Sequence, residues 1–575
     1  MIGRLAAAAR RRPAFAILAA WAALVVFIAP HGEFSINDDW AYTFSVKQFL
    51  ETGELRMTFW SAMTLVGQLA LGAGWASVFG TSELAFRLFS ASLAGAGLVA
   101  FFRLILIGGG ARPAAAAATA CLLAFPIFQA SALSFMTDAP HLAMTTFAAL
   151  AFARSFVGRS DGNGYFALGL VLLAVSLLIR QTSAALAIGV VAAEFVGNGA
   201  TRRAAIRSVI VVATTFCVLA GYAAVMRAQG LLPDVYDLRN VEMAALLRDA
   251  ARFDVDAIAP MTAAVVQSAR IFGLFAAPLV FILVVDRVRQ GAGMRYWMIA
   301  GLVAAPLFAA AAASDFRLAM SAASLLGPDG VGPRPIEPQA INLQPTPFLI
   351  FLSAIGSAVF GLFAAEVDWR RQEIAARFAE DRRRAAVIVM VFVAGAMSLA
   401  PYGLTKLIFF DRYVLTPGAF ALAALAMAVP SLEHALARRR STAYAAFVVA
   451  AAFGAILVHD AFAWHRARAG IVAEVVSKGV DPADIDAGFE HNMRHLLATR
   501  PTESMTPSLD EAEAKRRPYA ATKRRYTNHE VVAWRRVGQI LPIYGDDIYV
   551  LRRPASRRVT LAPAPSPAPG QAPLP

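Results

Sequence analysis

The chain has 575 residues, of which 58% are hydrophobic and only 16% are charged. A soluble globular protein is about half apolar and about a quarter charged, so this composition, with a mean hydropathy of +0.57, excludes that class and predicts a polytopic membrane protein. The net charge of +14 does not indicate nucleic-acid binding, because the arginines flank apolar segments and do not alternate with aromatic residues. Cys121 and Cys217 lie inside apolar segments, so no disulfide framework is expected.

Apolar segments that lack interior charges predict about thirteen transmembrane helices. The segments cover 13–30, 84–107, 113–130, 138–153, 164–180, 182–198, 207–226, 263–285, 296–313, 346–366, 385–403, 413–430 and 441–459. The first segment follows a basic stretch, as a signal peptide would, but many spans come after it and we expect a retained helix. The predicted fold class is therefore mostly α, a membrane helix bundle.

Arginines mark one side of the membrane. They recur in alternate short loops, on the same side as the N-terminus. The loops contain Arg103 and Arg112; Arg154 and Arg159; Arg202, Arg203 and Arg207; Arg287, Arg289 and Arg295; Arg370, Arg371, Arg377 and Arg382 to Arg384; and Arg438 to Arg440. Because positively charged loops stay in the cytoplasm, we expect a cytoplasmic N-terminus. The opposite loops are then extracytoplasmic.

The outer side holds the long connections. Residues 31–83 are amphipathic in parts and contain Trp40, Trp60 and Trp75, which predicts helices lying in the membrane interface. Residues 227–262 form a second connection. Residues 314–345 form a third, and their Pro and Gly content predicts a loop that closes over a site.

The chain is expected to form two domains and a tail. Residues 1–460 would be the transmembrane catalytic domain and 461–560 a small extracytoplasmic α/β domain, because charged and apolar segments alternate there and the stretch 547–552 is strand-like. The Pro/Ala-rich residues 561–575 predict a disordered end.

Two adjacent acids, Asp38 and Asp39, follow the first apolar segment where hydrocarbon gives way to water. Neighbouring carboxylates repel each other, which raises the pKa of one of them unless a cation or metal compensates. Either outcome suits proton transfer or cation binding. The plain alternative is a solvated loop turn.

A third acid, Asp138, lies in the stretch Met136-Thr-Asp-Ala-Pro-His141 between the third and fourth spans, on the same outer side. It either caps the following helix or faces the first pair of acids across a shared cavity, where it could position an acceptor hydroxyl or help to hold a divalent cation. His141 at a helix start is more often a satisfied hydrogen-bonding residue than a ligand.

Four cations mark outer helix ends, where positive charge is disfavoured: Arg87, Arg180, Lys406 and Arg412. A functional reading is that guanidinium and ammonium groups grip the phosphate of a lipid in the outer leaflet. The alternatives are snorkelling to headgroups, or an ion pair between Arg412 and Asp411. In the tail, His491 and His495 could bind a metal if helical, but a solvated polar surface is the expectation.

Four short motifs, in this order, resemble GT-C membrane glycosyltransferases of the family-39 type, which includes protein O-mannosyltransferases and the lipid A aminoarabinose transferase. Asn37-Asp-Asp-Trp-Ala-Tyr42 is similar to the acidic motif of the first outer loop, and Gly80-Thr-Ser-Glu-Leu-Ala-Phe-Arg-Leu-Phe-Ser90 to the element that leads into the second span. Met136-Thr-Asp-Ala-Pro140 is similar to the second acidic motif and Asp411-Arg-Tyr-Val-Leu-Thr-Pro417 to the late Arg-Tyr element. The likeness covers most of residues 10–430.

Three positions depart from the family pattern. Asp39 stands where Glu is usual, Phe89 where Pro is common, and Ser61-Ala-Met-Thr-Leu65 replaces Pro-Pro-Leu. The last change puts the geometry on the acceptor side in doubt.

The resemblance implies a hexosyl- or pentosyltransferase in a bacterial plasma (inner) membrane that takes a sugar from a polyprenyl-phosphate donor and transfers it, with inversion, to an extracytoplasmic lipid, glycan or protein. Asp38 would be the base, and Asp39 and Asp138 would orient the acceptor or hold Mg²⁺, Mn²⁺ or Zn²⁺ if a metal takes part. Arg87, Arg180, Lys406 and Arg412 would bind the donor phosphate. Tyr42, His141 and Tyr413 would contact the acceptor or the site.

Two rival functions share the bundle and its outward cations. One is a transporter or flippase of a lipid-linked sugar, against which the chain shows no inverted repeat. The other is a polymerase or ligase of surface polysaccharide. Release of free polyprenyl phosphate from a labelled donor separates transfer from flipping.

Overall fold

The computed structural model describes residues 12–58, 61–158, 162–313, 347–403, 410–499, 517–523, 525, 529–541 and 546–553. Lys406, Trp60, Arg159, the Pro/Gly-rich connection 314–345 and the tail 561–575 lie outside the described residues. The described chain is mostly helical.

Its helices are α1 Pro13–Ile28, α2 Asp39–Thr52, α3 Val66–Phe79, α4 Glu83–Ile107, α5 Arg112–Ala124, α6 Pro126–Ala132, α7 Asp138–Val157, α8 Gly162–Ile179, α9 Ala184–Asn198, α10 Arg202–Ala228, α11 Asp234–Ala251, α12 Val255–Arg289, α13 Met294–Ala313, α14 Pro347–Trp369, α15 Arg371–Glu380, α16 Arg382–Met397, α17 Ala400–Gly403, α18 Leu415–Ala428, α19 Leu432–Arg438, α20 Arg440–Ser477 and α21 Phe489–Thr499. Short 3-10 turns lie at Gln181–Ser183, Asp411–Val414 and Pro482–Asp484.

The chain is an integral membrane protein. Within the described residues, seven helices are long and apolar enough to cross a membrane, or up to nine if each of two bent pairs is one span. The expected number of about thirteen is not confirmed. The first bent pair, α5 and α6, turns by 70°, because Pro126 lacks the N–H that would continue the helix.

Helices of the bundle approach closely where glycines face a neighbouring backbone. A Cβ added to Gly273 of α12 would lie 2.0 Å from the carbonyl oxygen of Gly356 on α14, and one added to Gly189 of α9 would lie 2.3 Å from the carbonyl oxygen of Met390 on α16. Small residues allow such close crossings, which give membrane helices their packing energy where lipid offers no hydrophobic drive.

The arginine-rich loops gather through ion pairs and hydrogen bonds. Asp286 at the end of α12 accepts from Arg438 at 2.6 Å and lies 3.3 Å from Arg439. Glu366 of α14 pairs with Arg370 at 3.0 Å, and Arg377 donates to the carbonyl of Gly109 at 2.9 Å. Loops that are far apart in the chain therefore meet in one ionic cluster.

The connection of residues 31–83 contains two helices, α2 and α3, while its outer side and its position in the membrane interface stay predictions. Trp40 on α2 is only 2% exposed, so it belongs to the protein core and is not the interfacial residue that we predicted. Trp75 on α3 contacts the rings of Phe79 and Phe89 at 4.3 and 6.0 Å.

The chain divides into two compact units. One contains the described residues up to Arg466 and 538–541; the other contains 467–499, 517–537 where described, and 546–553. The second unit has a four-stranded sheet in the order β1-β2-β4-β3, with β1 Ile485–Asp486, β2 Tyr519–Thr522, β3 Glu530–Arg536 and β4 Asp547–Arg552. β1 runs parallel to β2 and the other pairs are antiparallel.

The polar residues around α21 lie beside a buried network. Arg468, Arg517 and Asn492 are buried, and Arg517 donates to Asn492 at 2.6 Å. Burial, with Arg468 and Arg517 nearby, lowers the pKa of His491 to about 4. Asp484 is exposed and Glu490, His491 and His495 are half-buried, so the predicted polar surface borders this network.

Candidate active site

The adjacent acids Asp38 and Asp39 have different neighbours. Asn37 adopts a left-handed backbone with φ of 55°, which asparagine tolerates better than most residues. Asp38 stays 20% exposed, and its Oδ2 lies 3.3 Å from Nη2 of Arg412. Asp39 is 1% exposed, and its Oδ1 accepts the backbone N–H of Ile36 at 2.7 Å. Asp38 therefore faces Arg412, one of the cations predicted for the site.

Asp138 is the centre of the ionic arrangement. Its Oδ1 accepts Nη1 of Arg180, and its Oδ2 lies 3.5 Å from Nε of Arg412. Asp138 is the first residue of α7, and Thr137 occupies the N-cap position. No side chain makes a capping hydrogen bond at this helix start. The capping alternative is therefore wrong, and the carboxylate is held by two guanidinium groups.

Arg180 and Arg412 come from helix ends that the bundle brings together. Arg180 follows α8 in an extended conformation, and Arg412 lies in the 3-10 turn that precedes α18. Burial lowers the pKa of Arg180, but the Asp138 carboxylate and the neighbouring phenols Tyr402 and Tyr413 together outweigh it, and the net shift is upward. Burial also lowers the pKa of Arg412, and Asp138 with its other neighbours again makes the net shift upward. Both guanidinium groups are therefore permanent positive charges.

Aromatic rings line the guanidinium groups. Tyr413 stacks on Tyr402 with ring centroids 3.9 Å apart and 9° between planes. The guanidinium carbons of Arg180 and Arg412 lie 5.5 and 5.7 Å from the Tyr413 ring. Tyr42 is fully buried, and its hydroxyl lies 3.5 Å from Sδ of Met63. Burial, followed by the charge of Asp38, raises the pKa of Tyr42, so it stays a neutral phenol.

His141 is a satisfied hydrogen-bonding residue, as the plainer alternative had it. Its Nε2 lies 2.9 Å from Oγ of Ser183 and its Nδ1 lies 3.4 Å from Oγ1 of Thr416. Ser183 continues to Ser176 at 2.7 Å. These contacts fix the imidazole between α7 and α18.

A small cavity connects these groups. Its lining consists of Asp138, His141, Arg180, Thr182, Ser398, Tyr402, Arg412, Tyr413, Thr416 and Pro417. Charged, phenolic and hydroxyl groups converge on one concave space, which is the usual form of a ligand site.

Arg87 does not join the site. It is 1% exposed, and it donates to the carbonyls of Pro30 and Gly32 at 2.8 Å each and to the carbonyl of Phe34. Its Nη1 and Nη2 thus donate to the backbone, and Arg87 is not among the residues that line the cavity of Asp138, Arg180 and Arg412.

The described residues do not assemble a metal centre: among them, no group of three or more His, Cys, Asp and Glu side chains is placed to hold a metal ion. The oxygens of Asp138 face two guanidinium groups, and Asp39 turns to the backbone of Ile36. A divalent metal held by Asp38, Asp39 and Asp138 stays a prediction.

Four polar side chains that line the cavity were not predicted as site residues from sequence: Thr182, Ser398, Tyr402 and Thr416. Thr182 follows Arg180 closely and Thr416 lies within the late Arg-Tyr motif, so proximity to those residues was an available signal. Tyr402 had none, because it follows an apolar helix and only its stacking on Tyr413 reveals its role.

The fold and the site together define a polytopic integral membrane protein with two acids and two guanidinium groups beside an aromatic cavity. No protein-family profile matches the chain, and no curated protein matches it. Several solved structures are similar to it, among them the three that follow.

ArnT from Cupriavidus metallidurans bound to undecaprenyl phosphate is 15% identical over 95% of this chain and 99% of that chain, with a TM-score of 0.40. The archaeal oligosaccharyltransferase AglB from Archaeoglobus fulgidus, in complex with an inhibitory peptide and a dolichol-phosphate, is 12% identical over 80% and 56%, with a TM-score of 0.43.

The Saccharomyces cerevisiae protein O-mannosyltransferase Pmt1-Pmt2 complex bound to the sugar donor is 15% identical over 37% of this chain, with a TM-score of 0.30. The present chain spans 32% of that chain's length. A protein O-mannosyltransferase is one of the kinds of enzyme that the sequence motifs resemble.

Proposed function

We propose that the protein is a membrane glycosyltransferase that moves a sugar from a polyprenyl-phosphate donor to an extracytoplasmic acceptor. The observation that carries the proposal is the bridge made by Arg412, whose guanidinium lies 3.3 Å from Asp38 and 3.5 Å from Asp138. Arg412 thus connects two groups. One is Asp38, an acid exposed enough to meet an acceptor, and the other is the buried ionic pair of Asp138 and Arg180, which is suited to bind a phosphate.

The guanidinium groups of Arg180 and Arg412 would stabilise the leaving phosphate. When the bond between the anomeric carbon and the phosphate oxygen breaks, negative charge grows on that oxygen. Guanidinium groups are suited to this task because they stay charged and offer several donors in a fixed plane. Asp138 holds both groups in place before the donor arrives.

Asp38 would act as the base. The acceptor oxygen or nitrogen attacks the anomeric carbon from the side opposite the phosphate, its proton passes to an oxygen of Asp38, and polyprenyl phosphate leaves with the bonding electrons. One attack with inversion of the anomeric centre needs one base, and Asp38 is the most exposed of the three acids.

Donor binding would also prepare the base. The donor phosphate competes with Asp38 for Nη2 of Arg412, while Nε of the same guanidinium stays directed at Asp138. Once the cation turns to the phosphate, Asp38 loses an interaction that stabilises its charged form, and it accepts a proton more readily. The site would thus become more basic when the donor is present.

An outer location of the site supports a lipid-linked donor. Water-soluble nucleotide sugars are cytoplasmic, whereas the arginine pattern predicts that Asp38 and Asp138 face outward. The proposal covers a lipid, glycan or protein acceptor and either a hexose or a pentose.

The test is release of free polyprenyl phosphate. The purified protein in proteoliposomes would be given a panel of polyprenyl-phosphate sugars labelled in the lipid, with a cell-envelope extract as acceptor. We expect wild type to release labelled polyprenyl phosphate and to transfer the sugar, and Arg180→Ala to do neither. A flippase would move the donor across the bilayer without release, which would overturn the proposal.

A further inference from the structure

An irregular segment precedes the proposed base and is bounded by two strained residues. Ala29 and Asn37 are not glycines, yet both have a left-handed backbone, with φ of 53° and 55°. Such conformations cost free energy and persist where the surroundings enforce them, often near functional sites. The path of residues 29–37 is therefore set by contacts from other elements.

Arg87 supplies three hydrogen bonds to this segment. From α4, it donates to three carbonyls of the segment, those of Pro30, Gly32 and Phe34. Its guanidinium carbon lies 4.1 Å from the Phe34 ring. The planar fork of an arginine can hold several acceptors in a fixed arrangement, which a single ammonium group cannot do.

Other contacts complete the frame around the segment. Arg466 on α20 donates to the carbonyl of Ala29 at 2.6 Å. Glu83, one turn before Arg87, pairs with Lys47 of α2 at 2.9 Å, and its backbone N–H donates to Glu33 at 3.3 Å. The first turn of α4 thus holds both the segment before Asp38 and the helix after it.

Three acids surround the buried Arg87 charge. Asp39, Glu83 and Glu33 all interact electrostatically with the guanidinium. Asp39 therefore belongs to the same frame, as an acid that also closes the turn on Ile36. This gives the neighbour of the proposed base a structural task of its own.

We propose that Arg87 is a positioning residue that sets the place of Asp38 relative to Arg412 by holding the backbone of residues 30–34. Its effect on catalysis rests on the proposed function; its effect on the segment does not. A shift of about 1 Å in a reacting group can lower the rate by about 10²-fold, so loosening this segment is expected to lower kcat with little change in donor binding.

Four variants of the full chain in nanodiscs test this. Arg87→Gln removes the fork and Arg87→Lys keeps its charge. Gly32→Ala substitutes no arginine. It introduces a Cβ 2.7 Å from Cε1 of Phe34, at a backbone φ of +114°. The control is Arg270→Gln, because Arg270 is also buried and donates to a backbone carbonyl, that of Leu307.

Three readouts are measured: hydrogen exchange of residues 29–42, binding of undecaprenyl phosphate, and kcat with KM on any donor that wild type turns over. For Arg87→Gln and Gly32→Ala we expect exchange in 29–42 to rise by about tenfold or more, since bonds to a charged group are lost. We expect undecaprenyl phosphate affinity to change by less than about threefold and kcat to fall by about 10²-fold. For Arg87→Lys we expect values of exchange and of kcat between those of these variants and those of wild type.

Different failures have different meanings. If Arg87→Gln weakens undecaprenyl phosphate binding more than about tenfold and leaves exchange unchanged, Arg87 is a phosphate ligand and the proposal is wrong. Arg270→Gln shows the pattern of hydrogen exchange that a general loss of stability produces. If exchange in Arg87→Gln rises throughout the bundle in the same way, Arg87 only stabilises the fold and the proposal is again wrong. If wild type turns over no donor, the proposed function fails, while exchange and binding still decide the place of Arg87.

Discussion

Asp38 and Asp39 show how much the surroundings of a side chain decide its role. They are adjacent in sequence and chemically identical, yet one faces Arg412 and the other accepts the N–H of Ile36. Successive residues at a helix start point in directions about 100° apart, so neighbours rarely share a partner. The two substitutions at these positions should therefore have different consequences.

We expect Asp38→Asn to lower kcat by about 10²- to 10⁴-fold, the usual contribution of a general base, because an amide cannot take the acceptor proton. Undecaprenyl phosphate binding should remain. The matched variant is Asp39→Asn, whose amide oxygen can still accept the N–H of Ile36, so its loss should be smaller. Equal activity of Asp38→Asn and wild type would remove Asp38 as the base.

Arg412 contacts two acids through different nitrogens, which a lysine cannot reproduce. Arg412→Lys is therefore expected to lower kcat by about 10²-fold, the scale of one lost transition-state donor. The control is Arg295→Lys: Arg295 is 62% exposed and pairs with Asp368 at the surface, where the pair is worth little. A wild-type rate for Arg412→Lys would mean that charge alone suffices at this position.

At the scale of the elements, the site is assembled from residues at the ends of helices. Asp38 precedes α2, Asp138 begins α7, Arg180 follows α8 and Arg412 precedes α18. None of these helices carries the chemistry along its length. The packing of the helices against one another sets the positions of their ends. Close helix crossings therefore determine the geometry of the site although they do not contact it.

The crossing of α12 and α14 can be tested with one methyl group. We expect Gly273→Ala to lower stability by about 1–3 kcal/mol, because its Cβ would lie 2.0 Å from the backbone oxygen of Gly356. Gly221→Ala on α10 is the control, since nothing lies within 4 Å of the added atom. The midpoint of thermal unfolding in detergent is the measurement, and similar midpoints for both variants would contradict the close crossing.

At the scale of the whole molecule, two ionic clusters stand out. One joins Asp38, Asp138, Arg180 and Arg412; the other joins the arginine-rich loops through Asp286 and Glu366. Both clusters are built from segments far apart in the chain. Because lipid cannot solvate charges, the ionic groups of a membrane bundle collect at its ends or in its interior.

The orientation of the chain can be read with cysteine labels. In a Cys217→Ser background, which removes the exposed native thiol, we expect Glu54→Cys to react with a membrane-impermeant maleimide in intact spheroplasts. Gly293→Cys should react only after the membrane is opened, since it lies between arginine-rich helix ends. The reverse pattern would place the site in the cytoplasm and remove the reason for a lipid-linked donor.

The sequence by itself determined the class of protein and predicted a place for its chemistry. Composition identified a membrane bundle, because apolar segments and charged ends follow directly from the cost of burying charge. Asp38, Asp138, Arg180 and Arg412 were among the residues chosen from sequence, and the structure brings these four together, while their roles stay predictions. Hydropathy was less able to give the number of spans, since short apolar helices and bent pairs such as α5 and α6 do not differ clearly in composition.

Only the tertiary structure decided how each charge is used. Arg87 and Arg412 look alike in sequence, as arginines at outer helix ends, but one holds backbone carbonyls and the other bridges two acids. Trp40 is core and Tyr402 lines the cavity for the same reason. A side chain's hydrogen-bond partners come from segments tens to hundreds of residues away, and no local pattern records which of them the packing brings near.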